Sequence, residues 1–258
     1  MPRIHPTAVV EPGAVIDDDV EIGPLAVVGP HVELAAGVRV GAHASLIGRT
    51  RIGSGTRIFP YVCLGGEPQI KDFQGDATRL EIGRNNVIRE HATIHVGSPG
   101  GGGCTRIGDD NLIMNTAHIG HDCEIGSHCI IASFCGLAGH VRIEDHAVLG
   151  AYTGVHQHAR VGETVMAASN AKLSQDAPPF AMVAGDRARL VGVNHVGLKR
   201  RNFSKETMQG VKHAFHIVFH SKLRLESALL RVRRELAGFP EVERLVSFLE
   251  SSERGFCR

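Results

Sequence analysis

His118, His121, Asp122, His140, His156 and His158 bring proton-transfer chemistry into one short stretch of the chain, and their spacing groups them. His121, Gly139 and Gln157 recur at a constant step of 18, and Asp122, His140 and His158 repeat the same step. In a chain that completes one coil per such step, these are two neighbouring columns on one face, with successive members about 4.8 Å apart. An imidazole beside a carboxylate and a backbone N–H has the parts of a general base, a group that orients it and a donor for a developing oxyanion. A surface stack of histidines without a task is the plainer alternative; the glycine in register with His121 argues against it. Imidazoles also bind zinc, and some six-residue-repeat proteins, the gamma-type carbonic anhydrases, hold it through a pair spaced H-x4-H. Here the spacings are H-x2-H at His118/His121 and H-x1-H at His156/His158, so no metal is expected.

The step of 18 rests on a longer pattern. One residue in six is aliphatic, in phase, from Ile4 through Val10, Ile16, Ile22 and onward to Leu64. The run resumes at Ile82, slips once, and continues from Ile107 to Val161. A six-residue beat marks a parallel β-helix in which each short wall sends one aliphatic inward, three walls to a coil. The fold class expected is all-β, a hexapeptide-repeat solenoid over residues 1–190, followed by a linker and small α-helical domain over 191–258. The beat breaks at 65–79, which is polar, and at 97–105, which contains SPGGGGC. Both read as loops thrown out of the wall, and loops on a rigid scaffold commonly carry function. From Ser204, an N-cap candidate, the pattern becomes helical, with a second helix in LRLESALLRVRREL and a third starting at Pro240.

Composition agrees with a thin core made of many bends: 31 glycines, two tyrosines and no tryptophan in 258 residues. Net charge is +1, but residues 199–234 hold ten Lys/Arg against two Glu. That basic third suggests an acidic or phosphorylated partner. Cys123, Cys129 and Cys135, six apart, occupy a small-residue slot of the hexad and read as core filler rather than disulfides. No apolar run of about 18 residues exists to span a membrane, and the beat begins at Ile4, so a cytoplasmic protein is expected.

NTAHIGHDCEIG (115–126), LAGHV (137–141), AVLGAYTGVHQ (147–157), QDAPPF (175–180) and GVNHVGLKRRNF (192–203) closely resemble the acyl-[acyl-carrier-protein]–UDP-N-acetylglucosamine O-acyltransferases over the full chain. The resemblance implies a left-handed β-helix, against the usual crossover hand, assembled as a homotrimer with sites between subunits. It implies transfer of a 3-hydroxyacyl group from acyl carrier protein to the 3-OH of UDP-N-acetylglucosamine, the first step of lipid A synthesis. The phosphopantetheine thioester is the co-substrate, there is no cofactor, and no nucleic acid is involved. His121 matches the general base, Asp122 the group orienting it and Gly139 the oxyanion donor. His118, His140, His156 and Gln157 match substrate contacts, Asn194 and Arg201 nucleotide contacts, and Arg200 a carrier-linked residue. Ser169 maps to the position that gauges acyl length and implies a shorter chain. Two places depart from the family: its Q-D-x-K loop reads Gln69-Ile70-Lys71-Asp72, with Gln69 and Lys71 as candidate contacts, and Val196 replaces a glutamate. These departures leave open a modified UDP-sugar, another acyl chain or another thioester donor. A non-catalytic solenoid that binds carrier protein or sugar nucleotide is the reading from a different class.

Overall fold

The computed structural model describes residues 1–75 and 77–258; Asp76, in the first interruption, lies outside them. Strands of two to five residues stack into three sheets of eleven, nine and eight strands, the walls of a left-handed β-helix. All pairings are parallel except the last, where Ala181–Ala184 meets Arg189–Val193 as an antiparallel hairpin. The hexad aliphatics point inward: Leu64, Ile94, Ile119, Leu137, Val155 and Leu173 form one row along the second wall, each nearly or fully buried. The small slot is filled as the pattern predicts. Cys123, Cys129 and Cys135 are buried and unpaired. Each thiol donates to a main-chain carbonyl, of Ala138, Glu144 and Gly150 respectively, at 3.1–3.2 Å. Burial pushes the Cys123 and Cys129 thiols up to about 12, so they are inert filler.

The two interruptions lengthen particular coils without changing the walls. Most coils pair at a step of 18, as in His118↔Gly136↔Gly154↔Lys172. Across the first interruption Leu64 pairs with Ile94, and Ile52 with Ile82, a step of 30. Across the second, Ile82 pairs with Ile107, a step of 25, which is the phase slip seen in the sequence. Both loops are shorter than the sequence pattern suggests. Gly65 and Gly66 belong to the strand Cys63–Gly66, Arg79 opens the strand Arg79–Ile82, and Cys104 and Thr105 open Cys104–Ile107. Ladder hydrogen bonds persist there after the hexad aliphatics have lapsed.

The C-terminal helices are α1 (His195–Arg200), α2 (Lys205–His220), α3 (Leu225–Glu235) and α4 (Pro240–Glu250). Ser204 caps α2 by accepting from the Thr207 N–H at 3.0 Å, and Pro240 opens α4, both as expected. The helices bury Val211, Phe215, Leu229, Val232, Leu245 and Leu249 against one another and the solenoid. Glu163 ties the domains together: its carboxylate accepts from Arg201, just after α1, and pairs with Arg244 of α4 at 2.8 Å. The C-terminal tail then returns to the last coil. Asp176 and Phe256 form a bridge, with Asp176 N–H donating to the Gly255 carbonyl and Cys257 N–H to the Asp176 carbonyl. Several basic residues of this third are absorbed by internal pairs, Arg231 with Glu235 and Arg233 with Glu243 and Glu250 among them.

Candidate active site

One corner of the solenoid places the two columns. Asp122, His140 and His158 each sit at a left-handed turn, with φ of 57°, 62° and 63°. The coils are joined there by His140 N–H to the His121 carbonyl (2.9 Å) and His158 N–H to the Gly139 carbonyl (3.2 Å). His121 therefore lies directly over Gly139. A Cβ on Gly139 would fall 2.5 Å from both Cε1 and Nε2 of the His121 ring, so only glycine leaves room for it. Among the described residues no protein acceptor takes the Gly139 N–H.

The second loop completes the site from the other side. The hexad pattern puts Asp122 outside the core, but its side chain is only 1% exposed. Ser98 covers it, donating its N–H to both carboxylate oxygens at 3.0 Å and its hydroxyl to Oδ2 at 2.5 Å. Gly101 packs so closely that a Cβ there would collide with Asp122 Oδ2. Burial by itself would raise the Asp122 carboxyl, but the hydrogen bonds from Ser98 and His121 outweigh it and hold the group below the usual carboxylate range. Asp122 thus stays ionised and grips His121 Nδ1 at 2.8 Å, leaving Nε2 as the free nitrogen.

His121 opens on a cavity of about 580 Å³, lined also by Gln69, His118, Gly139 and His156. His118 Nδ1 is hydrogen-bonded to Thr93 Oγ1 (2.9 Å); burial, with His95 adding, pushes its imidazole below the ordinary histidine value. The other expected contacts are elsewhere. His140 faces a separate groove with Asp122, its ring edge-on to His121 and stacked on His158. Gln157, Lys71 and Ser169 are exposed and do not line the cavity. Asn194 caps α1 through Gly197 N–H (2.9 Å) and donates to the Thr164 carbonyl (2.8 Å). Arg201 is held by Glu163 and by Thr164 Oγ1 (2.6 Å), and Arg200 is exposed on α1. Within one chain, then, Asn194, Arg200 and Arg201 do not join His121.

Polar residues at the site that sequence reasoning did not single out include Ser98, His95, Lys172 and Arg187. His95 was findable. It follows Ile94 as Gly120 follows Ile119, but those two aliphatics pair at a step of 25, so a ruler of 18 passes it by. It also anchors the first loop, with Nδ1 2.6 Å from the Glu67 carbonyl oxygen.

His121, Asp122 and His140 offer ligand atoms within 4.8 Å of one another. The Asp122 oxygens, however, already accept from Ser98 and His121, and a cation would have to displace those donors. The set suits hydrogen bonding better than ligation.

At the rim, the tail reaches back: Arg254 Nη2 lies 3.1 Å from His156 Nδ1. The Gln157 carbonyl oxygen is also 3.1 Å from that nitrogen. The guanidinium can only donate and the carbonyl can only accept, so the two compete for Nδ1, and Arg254 favours the tautomer with the ring proton on Nε2. Arg254→Met is expected to raise KM roughly 3–10-fold for loss of about 1 kcal/mol, with kcat little changed and the nitrogen NMR signature of the Nε2–H tautomer lost. Lysine at 254 should restore part of both. An unchanged tautomer would show that Arg254 does not set it.

Comparison with known proteins agrees over the whole chain. A family model described as Udp N-acetylglucosamine O-acyltransferase, domain 2, matches residues 176–257, and one described as bacterial transferase hexapeptide (six repeats) matches 104–139. Acyl-[acyl-carrier-protein]–UDP-N-acetylglucosamine O-acyltransferases of Thiobacillus denitrificans and of Janthinobacterium sp. (strain Marseille) are 50% and 48% identical, each over 100% of both chains. The solved structure of LpxA from Acinetobacter baumannii superposes with a TM-score of 0.96 at 39% identity, covering 99% of each chain. The UDP-N-acetylglucosamine acyltransferase of Arabidopsis does so with 0.86 at 33%, covering 99% of this chain and 100% of its own.

Proposed function

Since the chain belongs to the acyl-[acyl-carrier-protein]–UDP-N-acetylglucosamine O-acyltransferase family, we propose that His121 is the base of that reaction, Asp122 its orienting partner and Gly139 its oxyanion donor. The enzyme is an acyltransferase that moves an acyl group from acyl carrier protein to UDP-N-acetylglucosamine, the first step of lipid A synthesis. The observation that carries the residue roles is the free His121 Nε2 beside an unused Gly139 N–H at the cavity wall, with Nδ1 held by a buried carboxylate.

In this reading Nε2 takes the proton of the sugar 3-OH as its oxygen attacks the thioester carbonyl. The Gly139 N–H meets the oxyanion that forms. Collapse expels the phosphopantetheine sulfur, which receives the proton back from His121. The half-buried His118 and the rim residue His156 would contact the substrate, and Gln69 would approach from the first loop. No cofactor is called for. A homotrimer accounts for Asn194, Arg200 and Arg201: a neighbouring copy would bring its exposed Arg200 to this cavity, whereas one chain alone does not. In this reading the protein works in the cytoplasm, where it would meet its carrier substrate. No helix among the described residues is long and apolar enough to cross a membrane. The relatives' shared name favours UDP-N-acetylglucosamine over a modified sugar despite Val196 and the altered loop.

The test supplies 3-hydroxyacyl carrier protein with UDP-N-acetylglucosamine and follows carrier thiol and acylated nucleotide. Both should appear together, and only with the sugar nucleotide present. Binding of carrier protein without thiol release would favour the non-catalytic solenoid.

A further inference from the structure

The second loop is built so that its grip on Asp122 cannot drift. Gly97 and Gly103 form a neck so narrow that a Cβ on Gly97 would fall 2.1 Å from the Cys104 nitrogen. Inside the neck the Ser98 carbonyl accepts from the Gly101 and the Gly103 N–H, each at 3.0 Å. Ser98 is thus anchored by its carbonyl and directs its other two polar groups at Asp122. Those two groups are not equivalent. The Ser98 N–H lies 3.0 Å from Oδ1 and from Oδ2, so it accepts either rotation of the carboxylate. The hydroxyl takes Oδ2 alone, at 2.5 Å, the same oxygen that holds His121 Nδ1 at 2.8 Å. A rival stands nearby: His140 Nε2 is 3.8 Å from Oδ2, on a ring edge-on to that of His121. Gly101 closes that side, since a Cβ there would fall 2.1 Å from Oδ2 and 2.5 Å from His140 Cε1.

We infer that Ser98 is a positioning residue: its hydroxyl, acting through Asp122, keeps the carboxylate on His121 rather than His140 and so holds the His121 ring over Gly139. The inference rests on the reading of His121 as the base. The Asp122 backbone is already fixed, with its N–H donating to Thr105 Oγ1 at 2.8 Å. What remains free is rotation of the side chain, and a charge-assisted hydrogen bond to one oxygen is strong enough to remove it. Both partners are buried, so solvent does not stand in for the hydroxyl. Without that donor Oδ2 can swing toward His140, and the imidazole follows it or loses its hold. The ring has little tolerance for either, because it sits over a position where only glycine fits.

The experiment measures single-turnover thiol release, and KM for both substrates, in Ser98→Ala, Ser98→Cys and Ser98→Thr, each alone and combined with His121→Ala. Ser98→Ala should lower kcat on the order of tenfold, part of what a hydrogen bond to a charged group supplies, since the Ser98 N–H stays. KM should stay within about twofold, because the loss falls on the chemical step. The low-field proton resonance of His121 Nδ1 should shift as the grip on the ring changes. Threonine suits the extended backbone of residue 98 (φ −117°, ψ 154°) and should restore both kcat and the resonance. Cysteine, a weak donor, should fall between. In the His121→Ala background Ser98→Ala should cost nothing more, since a group that acts through the base has nothing left to act on. A role in stability alone would lower the melting temperature and leave kcat and the resonance of the folded enzyme unchanged, and that result overturns the inference. So does a loss that persists without the imidazole. If Ser98→Ala does not fold, the threonine and cysteine variants decide: equal rates overturn the inference. Full activity in His121→Ala would instead overturn the reading of His121 as the base.

Discussion

Replacing His121 by alanine is expected to lower kcat for acyl transfer about 10²–10⁴-fold, the usual contribution of a positioned base. KM for both substrates should stay within a few-fold, because the cavity keeps His118, His156 and Gln69. The imidazole is not part of the core, so thermal stability should change little. Asp122 would remain held by the Ser98 N–H and hydroxyl and would not be left as an unpaired buried charge. Single-turnover measurement of thiol release gives the chemical step directly. Turnover near the wild-type value would sink the assignment.

Gly139→Ala should be nearly as damaging, and for a reason that is purely steric. Gly139 does not have a positive φ, so alanine meets no backbone penalty there. Its Cβ would nevertheless sit 2.5 Å from His121 Nε2 and Cε1 and 3.0 Å from Nδ1. The ring must move, and moving it stretches the 2.8 Å bond from Nδ1 to a carboxylate that Ser98 fixes in place. A misplacement of about 1 Å costs roughly 100-fold, and crowding the oxyanion donor costs a further share of the roughly 10²–10³ that such a donor supplies. The expected result is a kcat lowered on the order of 10²–10³-fold with an unchanged melting temperature. Activity within tenfold of wild type would mean that the ring can vacate this position without consequence.

The pairing of His121 with Gly139 was legible in the sequence because the coils there follow one another at a step of 18 and the aliphatic beat counts it. The same count fails at His95, where the step is 25, and at Ser98, which lies in the loop that causes the slip. Lys172 was on the ruler, three coils beyond His118, yet a lone lysine in a column does not show that its stem lies back over Gly154 at the cavity wall. Asp122 was read as an outward residue because hexad position reports the wall and is blind to a loop folded over it. The helical domain was legible through Ser204 and Pro240, whereas α1 is six residues long and too short for a periodic signal. The partners of Arg201, Glu163 and Thr164, lie 37–38 residues away on a corner of the solenoid, beyond any local pattern.

The enlarged coils, those with a step of 30, have a consequence for how such an enzyme changes over generations. The excursion leaves and rejoins walls whose aliphatic rows stay aligned, since Leu64 still meets Ile94 and Ile52 still meets Ile82, with one irregularity where Gly66 meets His95. Closing a ring of 30 in place of 18 costs less than about 0.6 kcal/mol of chain entropy, the figure for a doubling. Insertions and deletions at Gln69–Asp72 are therefore nearly free, and none of them can displace the dyad. Substrate preference can drift by loop length while the catalytic geometry is inherited intact.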